Sequence, residues 1–235
     1  MNRYTLAAAL LILALSPTGA GAHEVAPAEG TADFELAHQE LGAFVSTPTE
    51  TRDQFMARVG VFLAQYTKAT GWEACGMLQQ AQDGSGWAVN LTTNGSQVAC
   101  VQTHYELPGY TETTAGIHSH PDTYSVRLSR QDSLLGRGGC GEHLSVYPFL
   151  FSDPDYAVGP GWLVTPAGTV RSAKLLYQSG KGTETTVANL DLSVVVRPDR
   201  STLPGLKVVK PGVTLVASPM VREDVKWGVR TCKAF

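Results

Sequence analysis

The chain has 235 residues, 43% of them hydrophobic and 17% charged, with 18 basic against 21 acidic side chains for a formal net charge of −3. That is an ordinary globular composition, long enough for one domain with an appendage or for two small domains. It holds no basic excess, which excludes a nucleic-acid binder working by phosphate neutralisation, and past its first residues no apolar run is long enough to cross a membrane.

Arg3, the apolar run Leu6 to Leu15 and the small-x-small site Ala20-Gly21-Ala22 form the pattern of a secretory signal peptide, so residues 1–22 are expected to be removed and the mature chain to start at His23. Residues 23–48 read as a leader followed by a short helix from Phe34 to Val45, with Phe34, Ala37, Leu41 and Phe44 on its apolar face. From Thr51 to Thr67 the recurrence of Phe55, Val59, Phe62, Leu63 and Tyr66 predicts a core helix, capped by Thr49 or Thr51 and stopped by Gly71. A strand-rich block follows: Glu73 to Gln79, Trp87 to Thr92, Gln97 to His104 and Thr114 to His118, separated by turns at 83–86, 94–96 and 108–109. Ser129 to Leu135 opens a second helix, and strands are predicted at Ser145 to Phe151, Gly161 to Thr165 and Val170 to Tyr177. The order points to an α+β domain with a mostly antiparallel sheet over residues 49–178. The polar, glycine-bearing stretch Ser179 to Glu184 reads as a boundary. Beyond it, short segments at Leu190 to Val196, Leu206 to Val209, Val213 to Ala217 and Trp227 to Cys232 predict a small β-rich extension over 179–235.

The chemistry concentrates at His118-Ser119-His120-Pro121. Residues two apart on a strand face the same side, so both imidazoles can address one ion while Ser119 turns away. Asp132, in Ser129-Arg130-Gln131-Asp132, supplies a carboxylate, and two nitrogens with one oxygen leave a tetrahedral zinc a position for water. The same Ser129 and Asp132 also fit a helix capping box, which would fix the carboxylate in the first helical turn. Asp122 is a rival carboxylate, too close to the histidines to swing back comfortably. Glu73, heading Glu73-Ala74-Cys75-Gly76-Met77-Leu78, is placed to serve as the base for a zinc-bound water. His104 is a strand residue that could line the pocket, and Cys140 and His143 are structural. Cys75, Cys100, Cys140 and Cys232 are an even set, which in an exported chain favours two disulfides, with three pairings open.

In order and spacing, Glu73-x-Cys75-Gly76-x-Leu78, His118-Ser119-His120-Pro121 and Ser129-x-x-Asp132 together resemble the signature of the JAMM (MPN-plus) zinc metalloproteases, over about residues 50–177. One departure is that eight residues separate His120 from Ser129, one more than the family pattern, which reads as a loop insertion. The resemblance implies a JAMM/MPN-like, cytidine-deaminase-like fold, with zinc held by His118, His120 and Asp132, Glu73 as general base and then acid, and Ser129 stabilising the oxyanion. It implies cleavage of a peptide or isopeptide amide in a protein or peptide substrate. An exported chain with disulfides meets periplasmic or extracellular proteins, the signal suiting a Gram-negative bacterium, rather than the family's ubiquitin-like substrates. The alternative is a catalytically silent module of the same fold acting through protein–protein contacts, which metal content and a chelator-sensitive cleavage assay would separate.

Overall fold

A computed structural model describes residues 36–199 except 103, 105 and 181, with strand backbone also at 215–217. The expected signal peptide and leader and most of the expected C-terminal extension lie outside the described residues. Ten strands and three helices are described: β1 (Leu36–Val45), α1 (Arg52–Thr70), β2 (Cys75–Ala81), β3 (Trp87–Thr93), β4 (Tyr110–Ser119), β5 (Ser125–Arg127), α2 (Arg130–Leu134), β6 (His143–Ser145), α3 (Asp153–Val158), β7 (Gly161–Pro166), β8 (Ser172–Gln178), β9 (Glu184–Asp191) and β10 (Leu215–Ala217). Seven strands run in the order β1-β3-β2-β4-β7-β8-β9, with β10 beside β1 and a separate pair β5-β6. The sheet is antiparallel except where β4 meets β7 and β1 meets β10, so the class is α+β with a mostly antiparallel sheet.

The long helix forms as its sequence predicts. Thr51 and Gln54 close a capping box at its start, and Gly71, at φ 74°, ends it in the left-handed conformation that suits glycine. Phe55, Met56, Val59 and Leu63 of α1 are fully buried against Phe44, Leu78, Leu91, Ile117, Trp162 and Leu175 of the sheet. Each such side chain contributes roughly 1.5–3 kcal/mol of apolar burial. Ser119 ties this layer together: its hydroxyl meets Thr67 Oγ1 of α1 at 2.6 Å and accepts from the Ala74 amide at 3.2 Å. Gly76 permits β2 and β3 to close up, since a Cβ there would stand 2.3 Å from the Asn90 carbonyl oxygen. No described helix is long and apolar enough to cross a membrane.

Several elements differ from expectation. Leu36–Val45 is a strand, not a helix. Ala43 packs with Ala88 and Leu107 while its neighbour Phe44 enters the α1 core, so apolar residues are needed on both faces and the spacing mimics a helix. Residues 97–104, expected as a strand, have no regular structure where described. They are fixed instead by Asn94, whose side-chain oxygen accepts from the Val101 amide at 2.7 Å, and by the Cys75–Cys100 disulfide. Cys140 is also disulfide-bonded, and Cys232 lies outside the described residues. Of Ser145–Phe151 only Ser145 is in a strand, and α3 follows where no helix was expected. The polar stretch after Tyr177 is flanked by paired strands, Gln178 of β8 standing opposite Glu184 of β9. Beyond it β9 pairs with β8 along Glu184–Asp191, earlier than the predicted Leu190 to Val196, and Leu190 joins the main core.

Candidate metal centre

The site lies where β4 ends. Cys75 of β2 pairs with His118 on one side of β4 and Leu163 of β7 on the other. The Ser119 amide donates to the Ala74 carbonyl at 3.1 Å and the His120 amide to the Val164 carbonyl at 3.0 Å. The backbone carrying both histidines is thus held from two sides. Alternation then sends Ile117 and Ser119 toward α1 and sends His118 and His120 to the opposite face, where their ring centroids are 5.0 Å apart.

The carboxylate that joins them is Asp155. Its Oδ1 is 3.3 Å from His118 Nε2 and its Oδ2 is 4.0 Å from His120 Nε2. One donor atom from each of the three falls within 4.8 Å of the others, so the group could hold a metal ion. Two donors about 2.0–2.1 Å from one tetrahedral ion stand roughly 3.4 Å apart, close to the His118–Asp155 separation. His118 Nε2 is buried and, beyond the Asp155 carboxylate at 3.3 Å, meets no well-formed hydrogen-bond partner among the described residues, which fits a ligand position shared with that carboxylate. Asp155 is aimed by Ser152, whose amide and hydroxyl both donate to Oδ2, at 2.7 and 2.6 Å. Such outer contacts orient metal ligands.

Asp132, the expected ligand, sits elsewhere. It is fully buried, and its Oδ2 accepts from the Ser129 amide and hydroxyl at 2.7 and 2.6 Å while Oδ1 accepts from the Ser96 hydroxyl. Its oxygens are therefore committed to pinning α2 against the 94–96 turn. Ser129 is likewise engaged with Asp132 and is not among the residues lining the cleft, whereas Ser152 is. The carboxylate and serine assigned from sequence are replaced at the histidines by a second Ser-x-x-Asp, Ser152-Asp153-Pro154-Asp155. Its signal was present as a serine cap followed by a proline in the first helical turn. His104 pairs with Glu112 at 2.5 Å on the surface, and the cleft lining includes neither it nor the exposed His143.

Glu73 is buried and lines a cleft of about 420 Å³ with His120, Asp155, Arg137, Tyr147 and Phe151. Its backbone is clamped: the amide donates to the Ser96 carbonyl at 2.8 Å and the carbonyl accepts from the Thr93 hydroxyl at 2.6 Å. Burial pushes its carboxyl up to about 8, against the attraction of His118. Burial works against the His118 imidazolium too, but the adjoining Asp155 outweighs it and raises the group above its ordinary value. His120 falls to about 3, first through burial and then through the neighbouring His118. Burial would raise Asp155, yet His118 and Ser152 hold it well below the usual carboxylate range.

Within this group the Asp155 carboxylate and the His118 imidazole favour each other's charged forms, while burial disfavours charge on His120 and Glu73. The arrangement offers two imidazoles and a carboxylate to a cation, with an acid–base group of near-neutral pKa beside them and an opening to substrate. The chain matches no family model, and at a significant level no curated protein matches its sequence and no solved structure matches its fold.

Proposed function

We propose that the chain is an exported zinc-dependent hydrolase of the JAMM kind, cleaving a peptide or isopeptide amide, with His118, His120 and Asp155 as the metal ligands and Glu73 as the general base. The observation that carries this reading is a buried glutamate of raised pKa beside a His-His-Asp group at the foot of an open cleft. Perturbed acid–base groups gathered in a cleft are what hydrolytic chemistry requires. The disulfide Cys75–Cys100 is compatible with export.

Two nitrogens and one oxygen suit zinc, and when bound the ion would lower the pKa of its water to about 7 and polarise the scissile carbonyl. The remaining work belongs to side chains. Glu73 accepts a proton from the attacking water as the new C–O bond forms. It returns that proton to the amine as the C–N bond breaks. A pKa near neutrality serves both transfers. Ser152, whose amide and hydroxyl both donate to Asp155, keeps that carboxylate oriented at the cleft wall. Phe151, packed against the His118 ring at 5.9 Å between centroids, keeps bulk water from that ligand.

The test is metal analysis of protein purified without chelator, then a peptide-library digest with and without chelator. Stoichiometric zinc, chelator-sensitive cleavage and its loss in Glu73→Gln with zinc retained are the expected results. Zinc bound with no cleavage of any peptide would overturn the enzyme reading in favour of a metal-bearing binding module. Full zinc occupancy in His120→Ala would remove that ligand.

A further inference from the structure

Arg137 lies in the same cleft and has no part in the chemistry just described. It follows α2, on the long connection between His120 and β7, and is only partly exposed. Its backbone amide donates to the Asp132 carbonyl at 3.1 Å, which fixes the start of the side chain. The guanidinium is close enough to act electrostatically on both Glu73 and His120, yet among the described residues it makes no ion pair or hydrogen bond. An arginine held in a cleft whose donors no described residue engages is prepared for a planar anion arriving from outside.

Resting on the hydrolase reading, we infer that Arg137 is a specificity residue that binds a carboxylate of the peptide substrate close to the scissile amide. Charge balance favours this ligand. A divalent cation and one guanidinium set against the carboxylates of Glu73 and Asp155 leave one positive charge, which a single carboxylate neutralises and a phosphate dianion would overshoot. The apolar part of the wall, Val98, Leu144, Val146, Tyr147 and Phe151, interrupted by Gln97 and Ser145, would receive the neighbouring aliphatic or aromatic side chain. The carboxylate can be the free end of the peptide or an acidic side chain beside the cut.

Four matched peptides distinguish these sources: one with a free carboxyl terminus, its amide, one with Glu flanking the cut, and its Gln counterpart. On whichever acid is preferred, Arg137→Gln should raise KM about 10- to 100-fold, the worth of a charge-assisted bidentate contact, with kcat within a few-fold. Arg137→Lys should recover part of the loss, and the neutral peptides should be indifferent to both variants. A free-terminus preference makes the protein an exopeptidase, and a Glu preference an acid-directed endopeptidase. Equal rates on all four peptides, or equal losses on acid and neutral peptides in Arg137→Gln, would overturn the inference while leaving the hydrolase intact. Calorimetric binding of the same peptides to zinc-loaded Glu73→Gln separates the two readings. Acid-selective binding that Arg137→Gln abolishes, in a protein whose wild type cleaves nothing, sinks the hydrolase and keeps the carboxylate site.

Discussion

Ser129-Arg130-Gln131-Asp132 and Ser152-Asp153-Pro154-Asp155 build the same local device: a serine cap whose amide and hydroxyl both donate to one oxygen of an aspartate three residues on. Their second oxygens meet different surroundings. That of Asp132 is taken by the Ser96 hydroxyl in a closed interior. That of Asp155 faces the His118 imidazole across 3.3 Å, at the wall of a cleft. One box closes on a buried serine, and the other turns its carboxylate toward two imidazoles. Local geometry sets where a carboxylate points, and what it does depends on which groups share its space.

Exchanging the roles experimentally should produce opposite losses. Asp155→Ala should lower cation affinity by at least about a hundredfold, beyond the ~10–100-fold cost of losing an outer-shell partner, as measured by competition with a zinc chelator. Asp132→Ala should leave that affinity within a few-fold but lower unfolding stability by ~3 kcal/mol, because a buried hydroxyl and a helix-start amide lose their charged acceptor. Chemical denaturation reads the second effect. If the two variants changed places, the ligand assignment would revert to Asp132.

A third carboxyl sharpens the contrast. Glu73 has its pKa raised from 4.5 to about 8 in the folded, cation-free protein. Its contribution to stability is therefore full below pH 4.5, declines as pH climbs toward 8 and stays lost above that. Glu73→Gln should remove this decline and make the apo variant more stable than wild type at pH 8.5, by on the order of a few kcal/mol at ~1.4 kcal/mol per pKa unit. Denaturant midpoints across pH 5 to 9 would show it. Parallel profiles for the two proteins would mean that Glu73 is solvated.

Cation binding must also compete with the proton at His118, whose pKa the adjoining Asp155 raises. Affinity should accordingly rise with pH, by about tenfold per unit for each proton released, through the raised pKa of His118, and level off above it. Calorimetry at pH 7 in buffers of different ionisation enthalpy should register net proton release. The smallest effects belong to the two serines. Ser152→Ala should weaken cation binding by roughly tenfold, and Ser129→Ala should cost ~1 kcal/mol of stability with binding unchanged.

Much of this was legible in the sequence because it is local. The core helix shows its period and both of its caps, and the His118–His120 pair follows from strand alternation. Glu73 announces itself as a charge at the head of an apolar strand. The ligand carboxylate did not, because a Ser-x-x-Asp reports only its own helix turn and the chain contains two. The nearer one matched the resemblance, and the partner that distinguishes them, Ser96, lies 36 residues away in sequence from Asp132. The Leu36–Val45 strand was misread for a related reason: burial on both faces erases the alternation that marks a strand. Gln97 and Val98, which line the cleft, lie beside a cross-link from Cys100 to Cys75, and four cysteines leave their pairing open.

The parallel pairing of β4 with β7 has a consequence for how such a molecule can diversify. Parallel neighbours cannot be joined by a tight turn, so the chain must make an excursion between them. Here that excursion, residues 121–160, brings Arg137, Tyr147, Ser152 and Asp155 to the cleft, while the sheet supplies the histidines and the glutamate. Under the proposed function, recognition and one metal ligand would fall on one contiguous cassette, and the histidines and general base on the frame beneath it. Cassettes of other lengths could be spliced between the same two strands, provided each returns an aspartate to the imidazoles, and each would give the frame a different diet.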